Sequence, residues 1–182
     1  MRFPAATADA AATPPRAVLS ITPGPGGDAD ALNPGARVFS FGASFRLDAV
    51  STGGDDNGDN LMQRGLIGSA SQYKIQVDHD RPSCRVAGSD GEVLVRSPVR
   101  VRPGRWYTVR CSREDDRVTL QLSERGSGTT QDVSATGRTG SLDASGDLPL
   151  SVGGKLTAQG TAVRSNSDQF NGEVDDVVLL VR

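Results

Sequence analysis

A chain of 182 residues is long enough to bury one substantial core and too short to favour two full domains. With 22 Gly, 10 Pro and only 4% aromatic residues, it has the composition of many short strands joined by turns, and long helices are not expected. The formal charge of -2, with basic residues scattered among apolar ones, offers no positive patch for nucleic acid, and no apolar run reaches the roughly 18 to 20 residues a membrane-inserted helix needs.

Residues 1–16 are rich in Ala, Thr and Pro and lack periodicity, so a disordered leader is expected there, with the single domain over 17–182. Ala6, Thr7 and Ala8 imitate a signal-peptidase site without an apolar stretch before them, which makes a signal-peptide remnant the other reading of that leader. Residues 17–21 read as an opening edge strand, followed by a Pro- and Gly-rich loop that carries Asp28, Asp30, Asn33 and Pro34. Phe39, Phe41, Ala43, Phe45, Leu47 and Ala49 then alternate with Ser40, Gly42, Ser44, Arg46 and Asp48. Three Phe on one face predict a central strand of the core sheet. The acidic run Asp55, Asp56, Asn57, Gly58, Asp59 and Asn60 is expected to be an exposed loop.

Residues 61–64 read as a brief strand bounded by Gly65 and Gly68. Tyr73, Ile75 and Val77 alternate with Gln72, Lys74, Gln76 and Asp78; Cys84 and Val86 continue on the next strand; Ser89, Asp90 and Gly91 turn the chain into a strand at 93–95. Val99 and Val101 lead to the clearest hairpin, over 103–122. Tyr107, Val109 and Cys111 face one way, the charged cluster Glu114, Asp115, Asp116 and Arg117 breaks the pattern, and Val118, Leu120 and Leu122 resume it. The Gly-, Ser- and Thr-rich stretch 126–146 holds one weak strand around Val133. Leu148, Leu150 and Val152 alternate before Gly153 and Gly154, and after a turn at Asn171 and Gly172 the β-branched run 174–181 predicts a strand covered on both faces.

Cys84 and Cys111 lie on separate expected strands and not in a C-x-x-C pair, which reads as one structural disulfide of an oxidising compartment; two buried free thiols are the alternative. About a dozen short strands with regular turn signals and no helix predict an all-β fold, a two-sheet antiparallel β-sandwich of the jelly-roll kind.

Several fragments resemble the laminin G-like domains of the concanavalin A-like lectin and glucanase superfamily. They are Asn60-Leu61-Met62-Gln63-Arg64-Gly65, Tyr73-Lys74-Ile75-Gln76-Val77, Gly104-Arg105-Trp106-Tyr107-Thr108-Val109, Leu150-Ser151-Val152-Gly153-Gly154 and Phe170-Asn171-Gly172-Glu173-Val174-Asp175-Asp176-Val177. They occur in the family's order, from about Phe39 to the end, and the cysteine pair is similar to one in bacterial secreted members. The resemblance implies a jelly roll used outside the cell or at its surface as a non-catalytic module that holds carbohydrate, an extracellular protein or calcium. It also implies that Trp106 is a structural residue at a strand start. Asp175 or Asp176 stands near the acidic position that contributes a ligand in calcium-binding members, and Asp28 and Asp30 are the residues expected to complete such a site.

Catalytic patterns are incomplete by comparison. Glycosidases of the same superfamily carry E-x-D-x-x-E, in which a second carboxylate serves as acid/base. Glu173 and Asp175 begin that pattern, but Val178 takes the third position, so no enzyme is expected; a polysaccharide hydrolase or lyase of the same fold, or a purely structural module, are the competing readings. His79 is the sole histidine and is expected in an exposed turn, paired with Asp78 or Asp80. Asp55, Asn57 and Asp59 imitate an EF-hand start, but Asn60 stands where Gly is needed and Leu66 where a bidentate Glu is needed. For a sugar, Tyr73 and Trp106 are the aromatics expected to be exposed, with Asn60 and Arg64 as hydrogen-bonding partners. Arg64, Arg100, Arg102 and Arg110 are expected to point outward.

Overall fold

Each period-two run carries one apolar row, and in the computed structural model these rows face one another across two six-stranded antiparallel sheets. The structure describes residues 1–5, 15–24, 31–51, 58–144, 148–157, 159–163 and 168–182. In chain order the strands are β1 (Arg2–Phe3), β2 (Leu19–Ile21), β3 (Phe39–Leu47), β4 (Asp59–Arg64), β5 (Gln72–Asp78) and β6 (Arg81–Gly88), then β7 (Gly91–Arg96), β8 (Trp106–Glu114), β9 (Arg117–Glu124), β10 (Thr130–Thr136), β11 (Leu150–Val152) and β12 (Gly172–Val181). The first sheet runs β1-β12-β3-β8-β9-β10 and the second β2-β11-β4-β5-β6-β7. The chain changes sheet after β1, β2, β3, β7, β10 and β11, which gives the jelly roll.

The three Phe of β3 sit at the centre of the first sheet, and all are buried. Tyr73 of β5 meets Phe41 at 5.0 Å and Phe39 at 5.6 Å between ring centres, so aromatic packing joins the two layers. Beside it Cys84 of β6 is bonded to Cys111 of β8, a disulfide between the sheets within the core. The hairpin expected over 103–122 is β8 and β9. Its turn sits at Asp115, which has φ +50°, and Glu114 pairs with Arg117.

Four regions depart from the sequence reading. Within the stretch 1–16 expected to be a disordered leader, Arg2–Phe3 forms β1 against Glu173 and Gly172, and Phe3 is buried against Phe170; residues 6–14 lie outside the described residues. A two-residue strand has no period to read, and its burial depends on a groove that the far end of the chain supplies. Asp59 is buried at the start of β4, where it accepts from Ser51 Oγ at 2.5 Å and Asn171 Nδ2 at 3.5 Å, so the acidic run is not exposed throughout. The stretch around Val133 is a full seven-residue strand, β10, which pairs along its length with β9. Lastly, β12 is covered on one face only. A bulge between Asp175 and Val178 shifts its register, Val177, Leu179 and Val181 pack on the core, and Leu180 is 48% exposed.

Buried arginines tie the ends of the sandwich. Arg113 ends the inward row of β8 and is 3% exposed. It donates to the carbonyls of Gly35, Arg37 and Gly140 and to Thr139 Oγ1, with its guanidinium 5.2 Å from the centre of the Phe39 ring. Burial lowers its pKa, and the carbonyl oxygens take the place of a carboxylate.

Candidate functional site: the outer face of the second sheet

Because Tyr73, Ile75 and Val77 point into the core, Gln72, Lys74, Gln76 and Asp78 of the same strand must point out. The register extends this polarity across the sheet. One row reads Ser20, Ser151, Gln63, Lys74, Arg85 and Leu94, one residue from each of the six strands. The next reads Asn60, Gln76, Ser83 and Arg96. These side chains are not all solvated, because the chain after β11 folds back against β4. Gly153 N donates to Leu61 O, and Asn60 N donates to Asp168 O. Asn60, Gln63, Ser83 and Ser151 are consequently buried, at 3% exposure or less.

Burial has a cost where amides find no partner. Asn60 Oδ1 and Nδ2, Gln63 Oε1 and Gln76 Oε1 are buried without a hydrogen bond, although Gln63 Nε2 donates to Gly65 O at 2.7 Å. Around them lie three cations. Lys155 pairs with Asp168, and Arg85 donates to Gln72 Oε1 and pairs with Glu92. Lys74 makes no such bond among the described residues. Burial pushes its amine down to about 7, Lys155 and Arg85 add to the shift, and Asp78 opposes it. Such a face can hydrogen-bond a polyhydroxylated ligand through the half-buried Gln76 amide and Lys74 amine.

The residues expected to bind ligand are divided by the fold. Asn60 lies on this outer face. Tyr73 and Arg64 are paired in register on the opposite, inner one. Tyr73 is 2% exposed and donates to Leu32 O at 3.0 Å, with its pKa raised by burial, so it is no sugar platform: its own alternation with Ile75 and Val77 dictates an inward side chain. Arg64 is 2% exposed and donates to Leu148 O, Leu32 O and Asn33 Oδ1, a second clamp and not an outward arginine. Arg100 and Arg102 are exposed, but outside the strands; Arg100 pairs with Asp80 at 2.7 Å. Lys74 and Gln76 were visible as the polar half of the β5 alternation; Lys155 had no sequence signal, because it reaches the site from a segment without period.

The other sequence candidates lie elsewhere. His79 is exposed in the turn between β5 and β6, with Nδ1 2.5 Å from Asp78 Oδ1, as its pairing was expected. Trp106 starts β8 on the outer face of the first sheet, half-buried, with the guanidinium carbons of Arg46 and Arg125 at 5.7 and 5.2 Å from its ring centre. Glu173 is held by Arg46 at 2.5 Å and Arg2 at 3.3 Å. Asp175 and Asp176 are exposed at the β12 bulge. Asp176, at φ +49°, accepts from Ser44 Oγ at 3.1 Å, and its carbonyl accepts from Arg110 at 3.4 Å. Arg110 points outward, half-buried, and burial lowers its pKa against the opposing effect of Asp176. Among the described residues no three His, Cys, Asp or Glu side chains gather as a metal site, and Asp28 and Asp30 lie outside the described residues, as do Asp55 and Asn57. Asp175 and Asp176 alone therefore do not fit a calcium ion, which needs six or more oxygens.

The solved structures that resemble this sandwich include the LG1-3 region of the laminin alpha2 chain, with TM-score 0.68 and 13% identity over 89% of this chain. Domains LG4-5 of the mouse laminin alpha1 chain superpose with TM-score 0.60 and 14% identity over 90% of this chain. A heptameric SAP-like pentraxin from Limulus polyphemus does so with TM-score 0.56 and 12% identity, over 98% of this chain and 73% of its own. This chain spans 29% and 39% of the two laminin chains. At such identities these likenesses establish the fold. No curated protein matches the sequence. The family model for the laminin G domain matches residues 61–181, which is more than half of the chain and runs from β4 to the end of β12, so the chain belongs to the laminin G domain family.

Proposed function

We propose that this domain is a non-catalytic binding module, that it works outside the cell or at its surface, and that it takes carbohydrate on the outer face of the second sheet. The feature that supports the ligand class is the outward polar row of β5, in which Lys74 and Gln76 are half-buried and Lys74 makes no hydrogen bond or ion pair among the described residues. Sugar hydroxyls both donate and accept, so one saccharide can bond the Gln76 amide and the Lys74 amine together, as a purely apolar ligand cannot. The extracellular reading is supported by the family and by the disulfide between Cys84 and Cys111. The non-catalytic reading is supported by Val178 in place of the third carboxylate and by the two arginines that hold Glu173. An extracellular protein as ligand is the second partner class this family suggests.

Glycan-array binding of the wild type beside Gln76→Leu is the test. Binding that falls at least about tenfold in the variant, a loss of about 1.4 kcal/mol, supports the site. A flat array at high protein concentration overturns the ligand class, and undiminished binding by the variant overturns the face. Release of reducing sugar from β-glucans or alginate would replace the module by a hydrolase or lyase. Calcium enters this proposal only through Asp175 and Asp176 together with Asp28 and Asp30. A thermal midpoint that rises with calcium and falls back with chelator supports that set, and identical midpoints remove it.

A further inference from the structure

Each sheet ends in two edge strands, β1 and β10 in the first and β2 and β7 in the second. An open edge is a row of unpaired N–H and C=O groups, which proteins blunt with short strands, charge or covering chain. β1 has two residues and β2 three. β7 carries Glu92 and Arg96 on its exposed row, and the chain after β10 crosses its start, where the carbonyls of Thr139 and Ser141 accept from Asp90 N and Ser89 N. β10 is different. It runs seven residues without Lys, Arg, Pro or Gly, carries the single charge of Asp132 and pairs with β9 in unbroken register. Val133 and Ala135 are half-buried against the rim of the core, and its other residues are exposed.

The hydrogen-bond phase of the first sheet shows which groups of β10 are free. Arg125 N donates to Trp106 O, so the odd-numbered residues of β9 bond β8 and the even-numbered ones bond β10. Their partners there are Gln131, Val133 and Ala135, a phase that Gly137 N repeats by donating to Asp116 O. The backbone groups of Thr130, Asp132, Ser134 and Thr136 therefore point away from the sheet, and among the described residues they have no partner.

We propose that this edge joins two copies of the chain, with the two β10 strands antiparallel about a two-fold axis at Val133. Centred there, Thr130 stands opposite Thr136 of the second copy and Asp132 opposite its Ser134. Every residue whose backbone faces the edge then meets another of the same kind, and the strands exchange N–H and C=O bonds along their length. Val133 stands opposite Val133 at a pair without backbone bonds, so apolar side chains that each monomer leaves half-exposed cover one another. Charge selects the same register: a slip of the pairing by two residues in one direction sets Asp132 against Asp132, and in the other leaves Thr130 beyond the partner strand. One such edge per copy ends the association at the dimer. A two-fold axis normal to the sheet turns neither copy over, so both present the outer face of the second sheet to the same side. With that face read as a sugar site, the pair is bivalent for a polymer; the dimer itself does not depend on that reading.

The test is sedimentation velocity of the full chain from about 5 to about 500 µM, since so small a contact is expected to dissociate at roughly 100 µM. Monomer should convert to dimer over that range, with no larger species. Ser134→Pro removes an N–H that points only to the second copy and should keep the protein monomeric throughout. Two further variants read the axis. A pair without backbone bonds brings its Cα atoms to about 4.5 Å, a distance a disulfide spans, so Val133→Cys should cross-link to itself on mild oxidation. Gln131→Cys should not, but should join Ala135→Cys when the two proteins are mixed. A monomer at the highest concentration, an unchanged dimer in Ser134→Pro, or equal self-cross-linking of Val133→Cys and Gln131→Cys overturns the proposal. If Ser134→Pro does not fold, the wild type and the cysteine variants still decide it. A flat glycan array with a protein that dimerises as expected removes only the ligand class, and array binding by a strictly monomeric protein removes only the dimer.

Discussion

At the residue scale, the side chains that most constrain this protein are charged and turned inward. Arg113 holds four oxygens from segments that are far apart in sequence, near Gly35 and near Gly140. Arg113→Met keeps the length of the side chain but removes the guanidinium from three carbonyls, of which Gly35 O keeps only its backbone donor Leu142 N, so a loss of about 3 kcal/mol is expected in urea unfolding. A change below about 0.5 kcal/mol would mean that those loops do not depend on the guanidinium. Lys74 gives the opposite sign. Its folded pKa, about 7, lies below the unfolded value of 10.5, so between these pH values the unfolded chain binds more protons and stability rises with pH. Below pH 7 the folded state bears the full penalty of a half-buried ammonium. Lys74→Gln should therefore raise the thermal midpoint at pH 6 relative to wild type, with the difference shrinking towards pH 10. A difference that stays constant with pH would place the amine back in its ordinary range.

At the scale of elements, short strands depend on what they dock against. β1 has two residues and is retained because the ring of Phe3 fills a space left by Gly153, where a Cβ would stand 1.9 Å from Phe3 Cε1. Gly153 also has φ +83°, which a side chain disfavours. Gly153→Ala should cost about 2 kcal/mol and speed hydrogen exchange at the amide of Phe3, which pairs with Gly172. In a Phe3→Ala background the same substitution should cost distinctly less, because the ring is what it collides with; full additivity would contradict that contact. The period of β3, β5, β8 and β9 was legible in the sequence because alternation over seven or more residues leaves one solution for which face is buried. The same logic fails for β1, which is too short, and for β12, whose bulge reverses the alternation after Asp175.

At the scale of the molecule, two sheets are fastened by one covalent bond in the middle. The Cys84–Cys111 bridge closes a loop with a sequence separation of 27, for which chain entropy gives about 3.5 kcal/mol. The Cys84→Ala, Cys111→Ala double variant should lose that amount in urea unfolding while it keeps the all-β circular dichroism of the wild type. An unchanged midpoint would show that the aromatic contact of Tyr73 with Phe39 and Phe41 suffices to hold the layers together. Because both sulfurs are fully buried, reductant should act on the folded protein only through opening of the sandwich.

Periodicity, turn residues and the two cysteines were enough by themselves to establish an antiparallel sandwich, its central strand and its hairpin, since burying one face of a strand is a local requirement written every second residue. The polar half of β5 was in view too, as Lys74 and Gln76. Only the tertiary structure decided that Arg64 turns inward while Asn60 turns outward, and that Lys155 and Asp168 come to stand beside Lys74. Register between strands and the path of a segment without period are set by contacts between residues tens of positions apart, and no local pattern encodes them.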